Sequence, residues 1–152
     1  MSSAAIYLLH GPNLNLLGER EPEIYGHQTL ADVESQCRPI AERAGLSLIS
    51  RQTNAEHEMI GWLQEARRAH GIVINPAGLC YHSVPVLDAL KMCEGPVVEV
   101  HISNVYRRDE AWRSRSLLAP AATGIISGLG IAGYRLAVEY VVHARRLITA
   151  AS

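Results

Sequence analysis

With 152 residues, 48% of them hydrophobic, the chain has the length and apolar content for one domain, residues 1–152, with a full core. Its 14 basic and 15 acidic residues leave a net charge of −1, which offers no basic face to nucleic acid or to an anionic membrane. No apolar run approaches the roughly 18 residues of a membrane span, and the opening MSSAAIYLLHG has neither a basic start nor the apolar length of a signal peptide, so a cytoplasmic location is expected.

Ala5-Ile6-Tyr7-Leu8-Leu9 reads as a short buried strand that Gly11-Pro12 stops. The stretch from Gly11 to Gly26, GPNLNLLGEREPEIYG, has no helical or strand period and is long for a connection inside one domain, as functional loops are. Thr29 with Asp32 three residues on resembles a capping box, opening a helix with Leu30, Val33, Cys37, Ile40, Ala41 and Ala44 on its apolar face and ending at Gly45. Pro39 inside that helix is a local conflict. Leu46 to Ser50 reads as a second strand, and a helix follows from about Glu56 to His70 with Ile60, Leu63 and Ala66 on one face. Ile72-Val73-Ile74 is the third strand. Ser83 caps a helix whose Val84, Leu87 and Leu90 are expected to face inward, Val97 to Ile102 is the fourth strand, and Gly124-Ile125-Ile126 the fifth. A last helix from about Tyr134 to Ile148 carries Leu136, Tyr140, Val141, Ala144 and Leu147. This alternation predicts an α/β fold of flavodoxin-like topology, a five-stranded parallel sheet covered by helices on both faces.

Polar residues collect at the predicted strand ends. Asn13 follows the first strand and Asn75 the third, where open α/β sheets bind ligands. Glu99, His101 and Ser103 alternate along the fourth strand and so share a face. A carboxylate two residues before an imidazole can orient it and favour the protonated form that a general acid needs; the alternative is an ion pair at a strand end. In the long loop, Arg20 lies five residues before Tyr25, and a guanidinium near a phenol favours the phenolate that could act as a base. The competing reading is a solvated charge run with Glu19, Glu21 and Glu23. Gly128-Leu129-Gly130-Ile131-Ala132-Gly133 matches GxGxxG, but no strand follows it and no acidic residue lies about 20 positions on, so the glycines fit a tight turn and close helix packing rather than a nucleotide. Cys37, Cys80 and Cys93 are odd in number and lack CxxC spacing, and the seven histidines lack HxH or HExxH spacing, so neither a disulfide framework nor a metal site is expected.

These segments together resemble the type II 3-dehydroquinate dehydratases. The likeness covers nearly the whole chain and rests on GPNLNLLGEREPEIYG, on Asn75-Pro76 followed by Ser83-Val84 and Asp88-Ala89, on VEVHISN from Val98 to Asn104, and on the terminal GLGIAGY. It implies an anti elimination of water from 3-dehydroquinate through an enolate, in the shikimate or quinate pathways, with no cofactor, metal or Schiff base. Tyr25 would then abstract the proton, Arg20 would activate it on a mobile lid, Asn13 would position a water, and His101, oriented by Glu99, would protonate the departing hydroxyl. Asn75, the Ile102 backbone and Ser103 would bind substrate. Asp88 would reach a neighbouring subunit's site in an assembly of trimers grouped into a dodecamer. Two departures mark this chain. Cys80-Tyr81-His82-Ser83 stands where the family reads Thr-His-Thr-Ser, so either Tyr81 or His82 takes the place of a substrate-contacting histidine. The substrate arginine is met one residue later than usual, with Arg113 its best match and Arg108 matching a second basic position. Two alternatives stay open: a dehydratase or isomerase of another cyclic polyol acid, and a non-catalytic ligand-binding relative.

Overall fold

A computed structural model describes residues 3–151, with side chains through residue 144. Five strands, β1 (Ala5–His10), β2 (Ser47–Gln52), β3 (Gly71–Asn75), β4 (Val97–His101) and β5 (Gly124–Ser127), form one parallel sheet in the order β2-β1-β3-β4-β5. Every residue of β1, β3 and β4 is buried, as central parallel strands covered on both faces must be, whereas the edge strands β2 and β5 keep exposed positions. The chain winds outward from β1 to β2 and then crosses back to β3, so the carboxyl ends of β1 and β3 border the crevice where such sheets take ligands. His10 and Asn75 are register partners at that edge.

Five α-helices cover the sheet: α1 (Pro22–Tyr25), α2 (Leu30–Arg43), α3 (Glu56–Glu65), α4 (Val84–Lys91) and α5 (Ala132–Ala151). The capping box of α2 is complete: the Thr29 N–H donates to Asp32 Oδ2 at 2.9 Å and the Asp32 N–H to Thr29 Oγ1 at 3.3 Å. Pro39 sits inside α2 on its exposed side, where water can take up the carbonyl its missing N–H leaves free. One core joins α2 and α5 to the sheet through Val33, Cys37, Leu8, Val73, Val100, Tyr134, Val138 and Val141; the other joins α3 and α4 to the opposite face through Met59, Leu63, Val86, Leu90, Leu9, Ile72 and Ile74.

Several expected faces are turned. In α4, Val84 is 53% exposed and the buried positions are Val86, Ala89 and Leu90, because Ser83 caps the helix by accepting the Val86 N–H while its own hydroxyl donates to Glu56 Oε2 at 2.6 Å. In α5, Leu136 and Tyr140 lie outward and Tyr134, Ala137, Val138, Val141 and Ala144 face the sheet, while the side chain of Leu147 is outside the described residues. The α3 helix stops at Glu65 and tightens into a 3₁₀ turn over Ala66–Arg68 instead of continuing to His70. The long loop has local structure of its own, a 3₁₀ turn at Leu14–Leu16 and the single turn of α1. At the far end, Gly128 and Gly130 take positive φ values of 93° and 63° and donate their N–H groups to the carbonyls of His101 and Ile102, which ends β4 at His101 and docks the start of α5 beside it.

Candidate active site

The carboxyl edge of the sheet is built from strained backbone. Asn13, Glu21 and Ala77 are the described non-glycine residues with positive φ, and Asn13 and Ala77 lie in the turns that begin after β1 ends at His10 and β3 at Asn75. The two turns are pressed together: the Gly11 N–H donates to the Asn75 carbonyl at 2.8 Å, and a Cβ on Gly11 would stand 2.3 Å from the Pro76 carbonyl oxygen. A polar bracket after β2 holds the first turn open, with Asn54 Oδ1 accepting from the Asn13 N–H at 2.9 Å and Gln52 donating to both Asn54 and the Gly11 carbonyl. The Asn13 side chain is thereby left exposed at the mouth of the crevice.

Tyr25, the last residue of α1, lies half-buried between two arginines. The Arg20 guanidinium stacks 4.9 Å from the centre of the ring. Arg108 reaches the oxygen: its Nη1 donates to the Tyr25 hydroxyl at 3.3 Å and to Ser103 Oγ at 3.2 Å. The sequence pairs Arg20 with Tyr25 correctly in space. It does not reveal that Arg108, 83 residues on, is the group on the phenol oxygen, since only the fold brings those segments together. Ser103 lies past the end of β4 and belongs to this phenol cluster instead of joining Glu99 and His101 on the strand face.

Glu99 and His101 are joined as the alternation predicts. His101 Nε2 lies 2.5 Å from Glu99 Oε2, with Glu99 1% and His101 9% exposed. Ser116 Oγ donates to the other carboxylate oxygen, Glu99 Oε1, at 3.0 Å, so both lone-pair faces of the buried carboxylate are used. Nothing in the local sequence singles out Ser116. The thiol of Cys80 closes the group: the donor atoms of Cys80, Glu99 and His101 all lie within 4.8 Å of one another, and burial, reinforced by the charge of Glu99, pushes the Cys80 thiol up to about 12.

Beneath the crevice, Asn75 is 4% exposed; its Nδ2 donates to the Tyr134 hydroxyl at 2.8 Å and its Oδ1 accepts from the Ala77 N–H at 3.1 Å. That fixes its amide orientation and leaves one N–H and one lone pair for a ligand. Tyr134 is wholly buried in α5, and the edge of its ring meets His10 at 5.5 Å. His10 is 1% exposed and neither ring nitrogen has a partner among the described residues, so desolvation lowers it from 6.5 to about 4 and keeps the imidazole neutral.

The departing segment folds against the loop after β4. Tyr81 Oη donates to the Arg113 carbonyl at 3.0 Å, its ring stands perpendicular to Trp112 at 4.8 Å, and the Arg113 guanidinium lies 4.5 Å from the centre of the Trp112 ring with its Nε in an ion pair 3.3 Å from Glu110 Oε2. Tyr81 thus ties the arginine-bearing loop to the end of β3. His82 is exposed, and so is Asp88 on α4. The Ile102 carbonyl is occupied by the Gly130 N–H.

The arrangement offers a phenol flanked by two cations, an imidazole locked to a carboxylate, and the amides of Asn13 and Asn75 past or at the ends of β1 and β3. A family model described as Dehydroquinase class II matches residues 4–142. The chain belongs to the class II dehydroquinase family. Among named members of comparable length, a 3-dehydroquinate dehydratase 2 from Agrobacterium fabrum is 53% identical over 137 residues, covering 90% of this chain and 92% of the relative. A 3-dehydroquinate dehydratase from Phenylobacterium zucineum is 55% identical over 138 residues, covering 90% and 94%. The crystal structure of the type II dehydroquinase from Propionibacterium acnes aligns with a TM-score of 0.86 at 39% identity, covering 93% of this chain and 97% of that one. No helix among the described residues is long and apolar enough to cross a membrane.

Proposed function

We propose that this class II dehydroquinase converts 3-dehydroquinate to 3-dehydroshikimate by anti elimination of water through an enolate, a step of the shikimate pathway. The observation that carries the reading is Arg108, whose one guanidinium nitrogen holds both the Tyr25 hydroxyl and Ser103 Oγ. It ties the loop's phenol to the residue two past the end of His101's strand, which supports a base and an acid serving one crevice.

In this reading Tyr25 removes the proton next to the substrate ketone, and the positive charges of Arg20 and Arg108 stabilise the anionic oxygen that such a base requires. Asn13, at the crevice mouth, holds the water that meets the enolate oxygen. His101 gives its proton to the departing hydroxyl, and Glu99, itself fixed by Ser116, keeps the ring aimed until then. General acid and general base each supply about 10²–10⁴-fold, and the rest comes from positioning. The free valences of Asn75, the Ile102 backbone and Ser103 meet the hydroxyls. Arg113 meets the carboxylate, placed by the Tyr81 bond to its carbonyl, with His82 at the rim. The elimination breaks one C–H and one C–O bond, forms the C=C bond and releases water, with a proton taken by the base and one given by the acid and no electrons exchanged with a cofactor.

A second reading, a dehydratase or isomerase of a different cyclic polyol acid, draws on the Cys80-Tyr81-His82 segment, because Tyr81 spends its hydroxyl on the Arg113 loop where the family's histidine would face substrate. We also propose a homo-oligomer of trimers grouped into a dodecamer. In support, edge strand β5 leaves Ile125 43% exposed on a surface it shares with the half-exposed Tyr140, an apolar edge suited to a second copy, and Asp88 is exposed for a neighbour's site. The test is direct: purified protein in chelator is mixed with 3-dehydroquinate and the ultraviolet absorbance of the conjugated enone is followed. Product formation is expected; an inert mixture from folded protein would reject the dehydratase reading.

A further inference from the structure

The fold assembles a donor set that linear spacing conceals. Cys80 lies near the end of the 3₁₀ turn after β3, Glu99 and His101 lie on β4, all three are buried, and their donor atoms fall within 4.8 Å of one another. The spacing 80, 99, 101 matches no zinc motif, and Cys80 stands at a position where this chain departs from its family's threonine. We propose that Cys80, Glu99 and His101 form a binding site for a thiophilic divalent cation of the zinc class, and that its occupancy reversibly inhibits the enzyme.

Four observations support it. Sulfur, imidazole nitrogen and carboxylate oxygen are the donor types zinc selects. Ligand bonds of roughly 2.0–2.3 Å place tetrahedral donors roughly 3.3–3.8 Å apart, a geometry reached when the 2.5 Å contact between His101 and Glu99 opens by about 1 Å and the widest separation, up to 4.8 Å, closes by about as much. A thiolate, a carboxylate and a neutral imidazole around a doubly charged ion sum to zero, so binding inserts no net charge into a buried site. The outer shell is already in place, since Ser116 Oγ donates to the second oxygen of Glu99. Three protein ligands leave the fourth position open to water or a substrate hydroxyl.

Binding releases the thiol proton, and any proton on His101 Nε2, to solvent and commits the Nε2 lone pair to the metal, so the ring can no longer become the imidazolium that serves as the acid. The inhibition rests on the role given to His101 above; the binding rests on the donor set alone, and the two are measured separately. Cobalt(II) is titrated into protein reduced with a phosphine, while zinc is titrated into the dehydratase assay, for the wild type and for Cys80→Ser. The expected result is a sulfur-to-cobalt charge-transfer band in the wild type that Cys80→Ser lacks. Zinc inhibition should be reversed by EDTA, with a half-inhibiting concentration raised by at least about 10- to 100-fold in the variant. Ser116→Ala keeps all three ligands, so it should retain the band at weaker affinity and guards against a folding defect in Cys80→Ser. No sulfur band, or an equal band in Cys80→Ser, overturns the site. A Cys80-dependent band without inhibition overturns the claimed consequence and with it the acid role of His101.

Discussion

Acidification should weaken this fold through a single buried imidazole. His10 is 1% exposed at the end of β1, with no hydrogen-bond partner for either ring nitrogen among the described residues, and its folded-state value falls from 6.5 to about 4. Because the folded value lies below the unfolded one, the unfolded chain binds a proton between pH 4 and 6.5 that the native chain refuses. Stability is therefore complete above pH 6.5 and is lost as pH falls toward 4. At about 1.4 kcal/mol per unit, the loss at about pH 5 is about 2 kcal/mol and over the whole window about 3 kcal/mol, a large share of the roughly 5–15 kcal/mol that holds a domain together. Urea unfolding of the wild type and of His10→Asn at about pH 7.5 and about pH 5 isolates the effect, because every other titrating group, the His101–Glu99 pair included, is common to both. The wild type should lose about 2 kcal/mol more than the variant. Parallel losses in the two proteins would mean that His10 meets water or an acceptor in the native state and is not held neutral by desolvation.

Three substitutions probe the remaining contacts. Tyr81→Phe deletes the bond to the Arg113 carbonyl and should raise KM about two- to tenfold with kcat held, the scale of one net hydrogen bond; an unchanged KM would free Arg113 from any dependence on Tyr81. Arg108→Ala should lower kcat by more than about tenfold while circular dichroism stays native, because the phenol oxygen loses its direct cation; wild-type kcat would leave that bond incidental. Gly128→Ala forces a side chain onto a φ of 93° and brings its Cβ to 2.8 Å from the Asn104 Cβ. It should cost about 1–3 kcal/mol and several degrees of Tm by scanning calorimetry, and an unshifted Tm would show that the turn has room.

The sequence makes some of this legible and leaves the rest to the fold for identifiable reasons. The parallel sheet follows from short apolar runs alternating with capped helical periods, and the Glu99–His101 pair from simple alternation along one strand. Arg20 and Tyr25 are neighbours in one loop, so their stacking is local. Arg108 on Tyr25, Tyr134 on Asn75 and Ser116 on Glu99 are long-range contacts between separate elements, and no periodicity encodes them. Cys80 is the sharpest case, since motif spacing argues against a metal while the carboxyl edge of the sheet sets it beside Glu99 and His101. The inward faces of α4 and α5 shift because capping by Ser83 and docking through the Gly128–Gly130 turn fix the rotation of each helix more firmly than its largest apolar residues do.

The role proposed for the phenol on the loop after β1 is removal of the substrate proton, and Tyr25→Phe tests it with the smallest possible change. The variant keeps the ring that Arg20 stacks upon and loses only the oxygen that Arg108 holds. Steady-state kinetics on 3-dehydroquinate should show kcat reduced by about 10²–10⁴-fold, with native circular dichroism and substrate still bound. A Tyr25→Phe enzyme that keeps more than about a tenth of the wild-type kcat would contradict it.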